Sequence, residues 1–339
     1  MLDVINVSPL FGEDTEDRRR TDALIMKAAK GVGFLQITGL LQNELIEAES
    51  RDRLKSIFNI SDDVKRRLMR VNFNPENSAV YRGWYPAQPG VRSYKEGIDM
   101  GPDLAHEGRV AEDDPLREAT PLPTEDEAPG WRAHATEWYK GLEEVGCAIM
   151  SSIARGLGLS EDRFAPLFEG GISSFRLAHY LPRTPETFGD EDPADATIDF
   201  EGEKLLLTGV THIDSGFVTL LVQDGVSGLQ VKTPDGWINA PPVEGAMVVN
   251  FGKLLQQWSG GVIRATPHRV VSNGDERYSI PFFYEPAVDA IIEPLDLPGA
   301  TDFEPFYYGD FLWRATTKFV EQKGIAHLRK PRGPLPEDF

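Results

Sequence analysis

Apolar positions change rhythm about half-way along the chain. In the first half they recur at helical spacing. One helical pattern covers residues 13–30 and is stopped by Gly31-Val32-Gly33. A second covers about 42–58, and Ser61 followed by Asp62-Asp63 has the chemistry of a helix cap leading into a further turn. Trp138, Leu142, Val145, Ile149 and Ile153 lie three or four residues apart and predict a long helix over 131–157. Two short strands, at 4–7 and 33–37, are interleaved with these helices. Between 72 and 129, Pro, Gly and acidic residues break every period, and this stretch reads as loops.

After Gly171 the period shortens. Strand-like runs cover 174–180, 208–214, 217–222, 228–232, 246–251, 268–272 and 277–284, and Asp235-Gly236 and Asn273-Gly274 are hairpin signals between such runs. Many short strands at close spacing predict an all-β sandwich or barrel with the helical N-terminal part wrapped onto it. The acidic insertion at 182–204, with Glu186, Asp190, Glu191, Asp192, Asp195 and Asp199, reads as a solvated loop in preference to a lid. A last helix is expected near 310–322. The chain therefore divides into a helix-rich region at 1–170, a β core at 171–300, and a C-terminal helix and tail at 301–339.

Composition narrows the function classes. The 339 residues are 40% apolar, enough to bury a large core. A net charge of −19 repels phosphate backbones, so no nucleic-acid partner is expected. One cysteine, Cys147, excludes an intrachain disulfide framework and a Cys-based zinc ribbon, and its apolar neighbours predict a small hydrophobe inside a helix. Met1-Leu2-Asp3-Val4 has no signal-peptide character and no apolar run approaches bilayer-spanning length. No membrane partner and a reducing cytoplasm are the expectation. Nothing in the sequence selects an oligomeric state.

The chemistry concentrates in the β region. His212 and Asp214 are separated by one residue on a predicted strand, so both side chains share a face and can reach one metal ion. His268 opens a later strand that a folded-over sheet can bring beside them. Two imidazoles and a carboxylate leave three positions of an octahedral ion free, which suits iron(II); a closed zinc site would take four protein ligands. Beyond a turn, Arg277 and Ser279 share a strand face close to the His268 strand. A guanidinium with an adjacent hydroxyl is a clamp for a buried carboxylate.

These blocks resemble the isopenicillin N synthase-like branch of the iron(II)/2-oxoglutarate-dependent dioxygenases. The first metal block is carried by His212-Ile213-Asp214-Ser215-Gly216, Thr219-Leu220-Leu221-Val222-Gln223-Asp224 and Gly228-Leu229-Gln230-Val231. The second is carried by Val248-Val249-Asn250-Phe251-Gly252, Leu254-Leu255-Gln256 and Thr266-Pro267-His268-Arg269-Val270, and Arg277-x-Ser279 matches the family's clamp. Gly33 to Ile37, Tyr81-Arg82-Gly83-Trp84 and Lys95 to Gly101 resemble the family's N-terminal region, so the likeness spans nearly the whole chain. It implies a double-stranded β-helix, or jelly roll, flanked by helices. It also implies an enzyme that uses Fe(II), dioxygen and 2-oxoglutarate to hydroxylate, desaturate or cyclise a small organic molecule, releasing succinate and carbon dioxide. His212, Asp214 and His268 would hold the metal, and Arg277, Ser279 and Tyr180 the cosubstrate. Ala178 stands where many relatives carry asparagine, so that contact is lost or is rebuilt by His179 or Arg176. An intact Asp214 leaves no ligand position for the halide of related halogenases.

The substrate-pocket candidates are Tyr81, Arg82 and Phe283. Phe283 follows Ser279 by four residues and either points into the same cavity or packs core; Arg82 either pairs with a substrate carboxylate or makes a structural salt bridge. His106 and His327 read as surface groups, His134 as structural, and Glu143-Glu144 as a solvated face. Specificity is expected from 72–100, 182–204 and 303–313. The alternatives are an oxidase like isopenicillin N synthase or aminocyclopropane carboxylate oxidase, which uses no 2-oxoglutarate, and a non-catalytic ligand-binding protein on the same fold.

Overall fold

Alternation along the second half of the chain sorts side chains onto two faces, and the strands it produces curl into two sheets. The computed structural model describes residues 1–272, 274–300 and 302–336. The first part of the chain supplies β1 (Val4–Asn6), β2 (Phe34–Thr38), β3 (Gly83–Tyr85) and β4 (Lys95–Met100). There follow β5 (Ser174–Tyr180), β6 (Thr197–Phe200), β7 (Glu203–His212), β8 (Val218–Gln223) and β9 (Leu229–Thr233). The core is completed by β10 (Gly236–Asn239), β11 (Met247–Phe251), β12 (His268–Ser272) and β13 (Arg277–Tyr284). One sheet runs β1-β2-β11-β8-β13-β5-β4-β3 and the other β10-β9-β12-β7-β6. From β5 onward the long core strands alternate between the sheets: β5, β8, β11 and β13 lie in the first, and β7, β9 and β12 in the second. That winding is a double-stranded β-helix, and the chain is a mainly β jelly roll flanked by helices.

The helix Trp131–Gly156 covers the outer face of the first sheet. Its buried positions, among them Trp131, Ala135, Trp138, Leu142, Val145, Ile149 and Ile153, follow the helical period. Trp138 stacks on Phe175 of β5 with ring centroids 6.3 Å apart, and Tyr139 meets Phe282 of β13 edge-on at 5.1 Å. Phe175 and Phe282 point outward, so their neighbours Arg176 and Phe283 point to the opposite face, where the site lies. Trp138→Ala should cost about 3–5 kcal/mol, read as a lower denaturant midpoint with no change in slope.

Several expectations need correcting. The supposed loop region contributes β3 and β4 to the large sheet. β3 has only three residues, and β4 alternates Lys95 and Asp99 with glycine on its inner face, so no apolar period announced it. The acidic insertion is not all loop: β6 pairs with β7 through a turn at Glu201 and Gly202, both with positive φ, 53° and 87°. That is the geometry of a two-residue hairpin. The second helix is broken into Asn43–Ile46, Ala48–Lys55 and Ser56–Asn59, of which only the middle piece is α-helical. The last helix is Tyr308–Thr316, and a separate turn follows at Val320–Gln322. Cys147 lies in its helix but on the exposed side, because Val145, Gly146, Ile149 and Met150 take the inward positions. Ser61 caps its helix as expected, accepting from the Val64 amide at 3.3 Å. Of the Asn273-Gly274 signal, Asn273 lies outside the described residues. Among those described, no helix is long and apolar enough to cross a membrane.

Candidate active site

β7 ends at His212 and β12 begins at His268, and the register sets these residues opposite each other, with ring centroids 4.2 Å apart. Asp214 lies just beyond the strand, so the pleat does not aim it. Its backbone carbonyl accepts from the Lys253 amide at 2.7 Å, and its Oδ2 accepts from Thr219 Oγ1 at 2.6 Å and Asn250 Nδ2 at 2.8 Å. Oδ1 is left facing His212 Nε2 at 3.5 Å and His268 Nε2 at 3.6 Å. His212 Nδ1 meets the Val210 carbonyl at 2.9 Å and His268 Nδ1 meets the Thr266 carbonyl at 3.2 Å. Each Nδ1 therefore carries the proton, and each Nε2 offers its lone pair to the centre.

The three potential ligand atoms lie within 4.8 Å of one another, a cluster that could hold a metal ion. Burial alone would raise the Asp214 carboxyl, but His268 and His212 overcome it and hold the group far below the usual carboxylate range. Burial lowers His268, with Asp214 only partly opposing. At His212 burial also lowers the imidazole, but Asp214 outweighs it and the net shift is upward.

A cavity of about 350 Å³ opens beside the cluster, lined among others by Tyr81, Arg176, Tyr180, Phe283 and Glu285. Arg277 lies behind it. It is 2% exposed, and Nε, Nη1 and Nη2 all lack a hydrogen-bond partner. β13 pairs Arg277 with Tyr180 and Ser279 with Ala178, so the clamp residues and Tyr180 share one patch of the inner face. Burial lowers the Arg277 guanidinium, with Tyr180, whose ring lies 5.3 Å away, and Asp224 only partly opposing. Burial would raise the Tyr180 phenol, but Lys95 and Arg277 outweigh that and lower it. A buried guanidinium with free donors beside a hydroxyl is what a dicarboxylate's far end requires.

The same sheet, on β4 and β5 beside Tyr180, carries further charges into the cavity. Asp99 is paired with Arg70 and with Arg176, whose Nη2 lies 2.8 Å from Oδ2, and Lys95 meets Glu321 at 2.9 Å. Burial would raise the Glu321 carboxyl, yet Lys95 and Arg176 hold it at about 2 from an ordinary 4.5. A depressed folded value means that this stabilisation is complete above the unfolded value and disappears as pH falls through the folded one. Stability should therefore decline between pH ~4.5 and ~2, by roughly 3 kcal/mol from this group. Glu321→Gln should flatten that window in acid denaturation and destabilise the protein at pH 7, because Lys95 stays buried without its partner.

Other expected residues fall elsewhere. Arg82 is fully buried and is not among the cavity-lining residues; it donates to the Ile172 carbonyl at 2.9 Å, the Met100 carbonyl at 3.3 Å and Ser174 Oγ. His179 faces the opposite way from Tyr180, bound to Glu96 at 3.1 Å and Glu276 at 2.6 Å and stacked on Tyr278. Arg176 is on the cavity side. His134 is held by the Ser50 carbonyl at 3.0 Å, and His106 is half-buried against Glu143 at 2.7 Å, so Glu143 is paired and not simply solvated. Thr219 and Asn250 were quoted in motifs without a role; their inward positions on β8 and β11, paired in register, are the signal that could have found them. Glu285 was missed too, although it follows Phe283 by two residues and alternation places both on one face. The segment 318–322, beyond the last helix, closes one side of the cavity.

This fold and this cluster define the class. The profile of the 2OG-Fe(II) oxygenase superfamily matches residues 175–286. Isopenicillin N synthase of Streptomyces clavuligerus is 30% identical over 328 residues, covering 94% of this chain and 96% of that protein. A 2-oxoglutarate-Fe(II) type oxidoreductase of Aspergillus fumigatus is 30% identical over 306 residues, 86% of this chain and 84% of that one. Among solved structures, a full-length Neurospora crassa protein in complex with alpha-KG aligns with a TM-score of 0.73 at 25% identity, covering 93% of this chain and 95% of that one. The chain belongs to the 2OG-Fe(II) oxygenase superfamily, with isopenicillin N synthase-like relatives, and is an oxygenase-superfamily enzyme.

Proposed function

We propose that this enzyme uses iron(II), dioxygen and 2-oxoglutarate to oxidise a small organic molecule by hydroxylation, desaturation or ring closure. The observation that carries the reading is Arg277, a buried guanidinium whose donors have no partner, on the same inner face as Ser279 and Tyr180. His212, Asp214 and His268 would hold the metal; Arg277, Ser279 and Tyr180 would take the distal carboxylate of the cosubstrate. Iron(II) bound there would activate dioxygen, with 2-oxoglutarate consumed to succinate and carbon dioxide as the primary substrate is oxidised.

The residues of the chain supply the rest. Thr219 and Asn250 fix the carboxylate of Asp214 so that one oxygen is engaged by the protein and one remains free. The Val210 and Thr266 carbonyls fix both imidazoles in the ligating tautomer. Tyr81 and Phe283 shape the pocket for the primary substrate, and Arg82 holds the wall beside Ser174.

A second reading has its own support: isopenicillin N synthase relatives, which use no 2-oxoglutarate, match over 94% of the chain. The two are separated by measuring succinate against oxygen uptake over a panel of candidate substrates. Equimolar succinate supports the proposal; substrate-dependent oxygen consumption without succinate would replace it by the oxidase reading.

A further inference from the structure

Glu285 is the most anomalous group lining the cavity. It is 5% exposed, and its Oε2 has no hydrogen-bond partner. Its position is set by packing and by its backbone, whose amide donates to Ser173 Oγ at 3.1 Å. The carboxyl lies against Gly216, where a Cβ would come within 2.7 Å of Oε2 and 2.8 Å of Oε1, so a side chain there would displace the carboxyl from its present position. Burial, and then the charge of Asp214, push the carboxyl well above its ordinary range against the smaller pull of Arg82. An uncharged carboxyl presents an acceptor and a donor side by side. The buried acids Asp99 and Glu321 in the same wall are each matched by a cation; Glu285 is not.

Keeping such a group dry and unpaired costs a few kcal/mol, and among the described residues only the smaller pull of Arg82 opposes that cost. We propose that Glu285 is a specificity-determining residue, hydrogen-bonding the N–H of an amide or lactam group on the primary substrate. This rests on reading the cavity as the oxygenase site. A primary amide or a lactam, which carries an N–H and its carbonyl on one edge, matches the carboxyl edge to edge, offering its N–H to one oxygen and its carbonyl to the other.

The test uses the full chain with iron(II) and 2-oxoglutarate under anaerobic conditions. Matched probes are compared: benzamide with N,N-dimethylbenzamide, and 2-pyrrolidinone with its N-methyl counterpart. Binding is read both by the shift in melting temperature and by perturbation of the visible iron–cosubstrate band. The N–H members should bind about ten-fold tighter than their methylated partners, with the preference kept in Glu285→Gln and lost in Glu285→Leu. Glu285→Leu alone should melt no lower than the parent, because it removes an unpaired buried polar group. Equal binding within each pair, no binding by any N–H probe, a preference that survives Glu285→Leu, or a lower melting point for that variant would each overturn the proposal. A band that never forms, with the probe preference still visible by melting, would instead sink the 2-oxoglutarate reading and leave the role of Glu285 standing.

Discussion

His268→Ala is expected to abolish turnover and iron retention while leaving the fold in place. Among the described residues the imidazole is one of three groups in the cluster, and the register of β12 against β7 brings up no other donor from those strands to replace it. Loss of an outer-shell partner of a metal ligand costs ~10–100-fold in affinity or activity, and loss of the ligand itself should exceed that. The apo-protein should change stability by less than about 2 kcal/mol, since Asp214 keeps its bonds to Thr219 and Asn250. Metal content after dialysis, alongside unfolding curves, separates the two effects. A variant that retained iron and turnover would show that the cluster is not the metal site.

The second large effect is at Arg277, and there binding and stability should move in opposite directions. Arg277→Met removes a buried charge whose three nitrogens have no partner, so the ligand-free protein should be as stable as the parent or more so. Affinity for 2-oxoglutarate should fall by about 3 kcal/mol, or more than a hundred-fold, because the distal carboxylate would be buried with no counter-charge. Raised cosubstrate requirement with an unchanged or higher melting temperature is the expected pair of results. A destabilised variant with unaltered cosubstrate affinity would make Arg277 a structural residue.

Where the chain obeys a single period, the sequence was readable. β5 and β12 occupy the expected residues, and β13 begins at Arg277 and ends at Tyr284 as its alternation predicts. The convergence of His212, Asp214 and His268 followed from spacing and family likeness, although for a partly different reason. Asp214 is aimed by Thr219, Asn250 and the Lys253 amide, interactions between residues distant in sequence that no local pattern encodes. β3 was hidden because it has only three residues, and β4 because its inward positions carry Lys95, Gly97 and Asp99 instead of apolar side chains. Lys95 and Asp99 had no role of their own in the sequence, and Arg176 was a candidate for a cosubstrate contact; the fold instead pairs Lys95 and Arg176 with Glu321, and Arg176 with Asp99. His179 and Tyr180 show the limit of adjacency: one residue apart, they serve opposite faces of the sheet.

For the proposed chemistry to occur, one ion and one dicarboxylate must meet in this cavity. Anaerobic titration of the iron(II)-loaded protein with 2-oxoglutarate, followed in the visible range, addresses that most directly. A charge-transfer band saturating at one cosubstrate per chain, absent in His268→Ala and shifted to higher concentration in Arg277→Met, is the predicted result. Tight iron binding with no band at any 2-oxoglutarate concentration would contradict it.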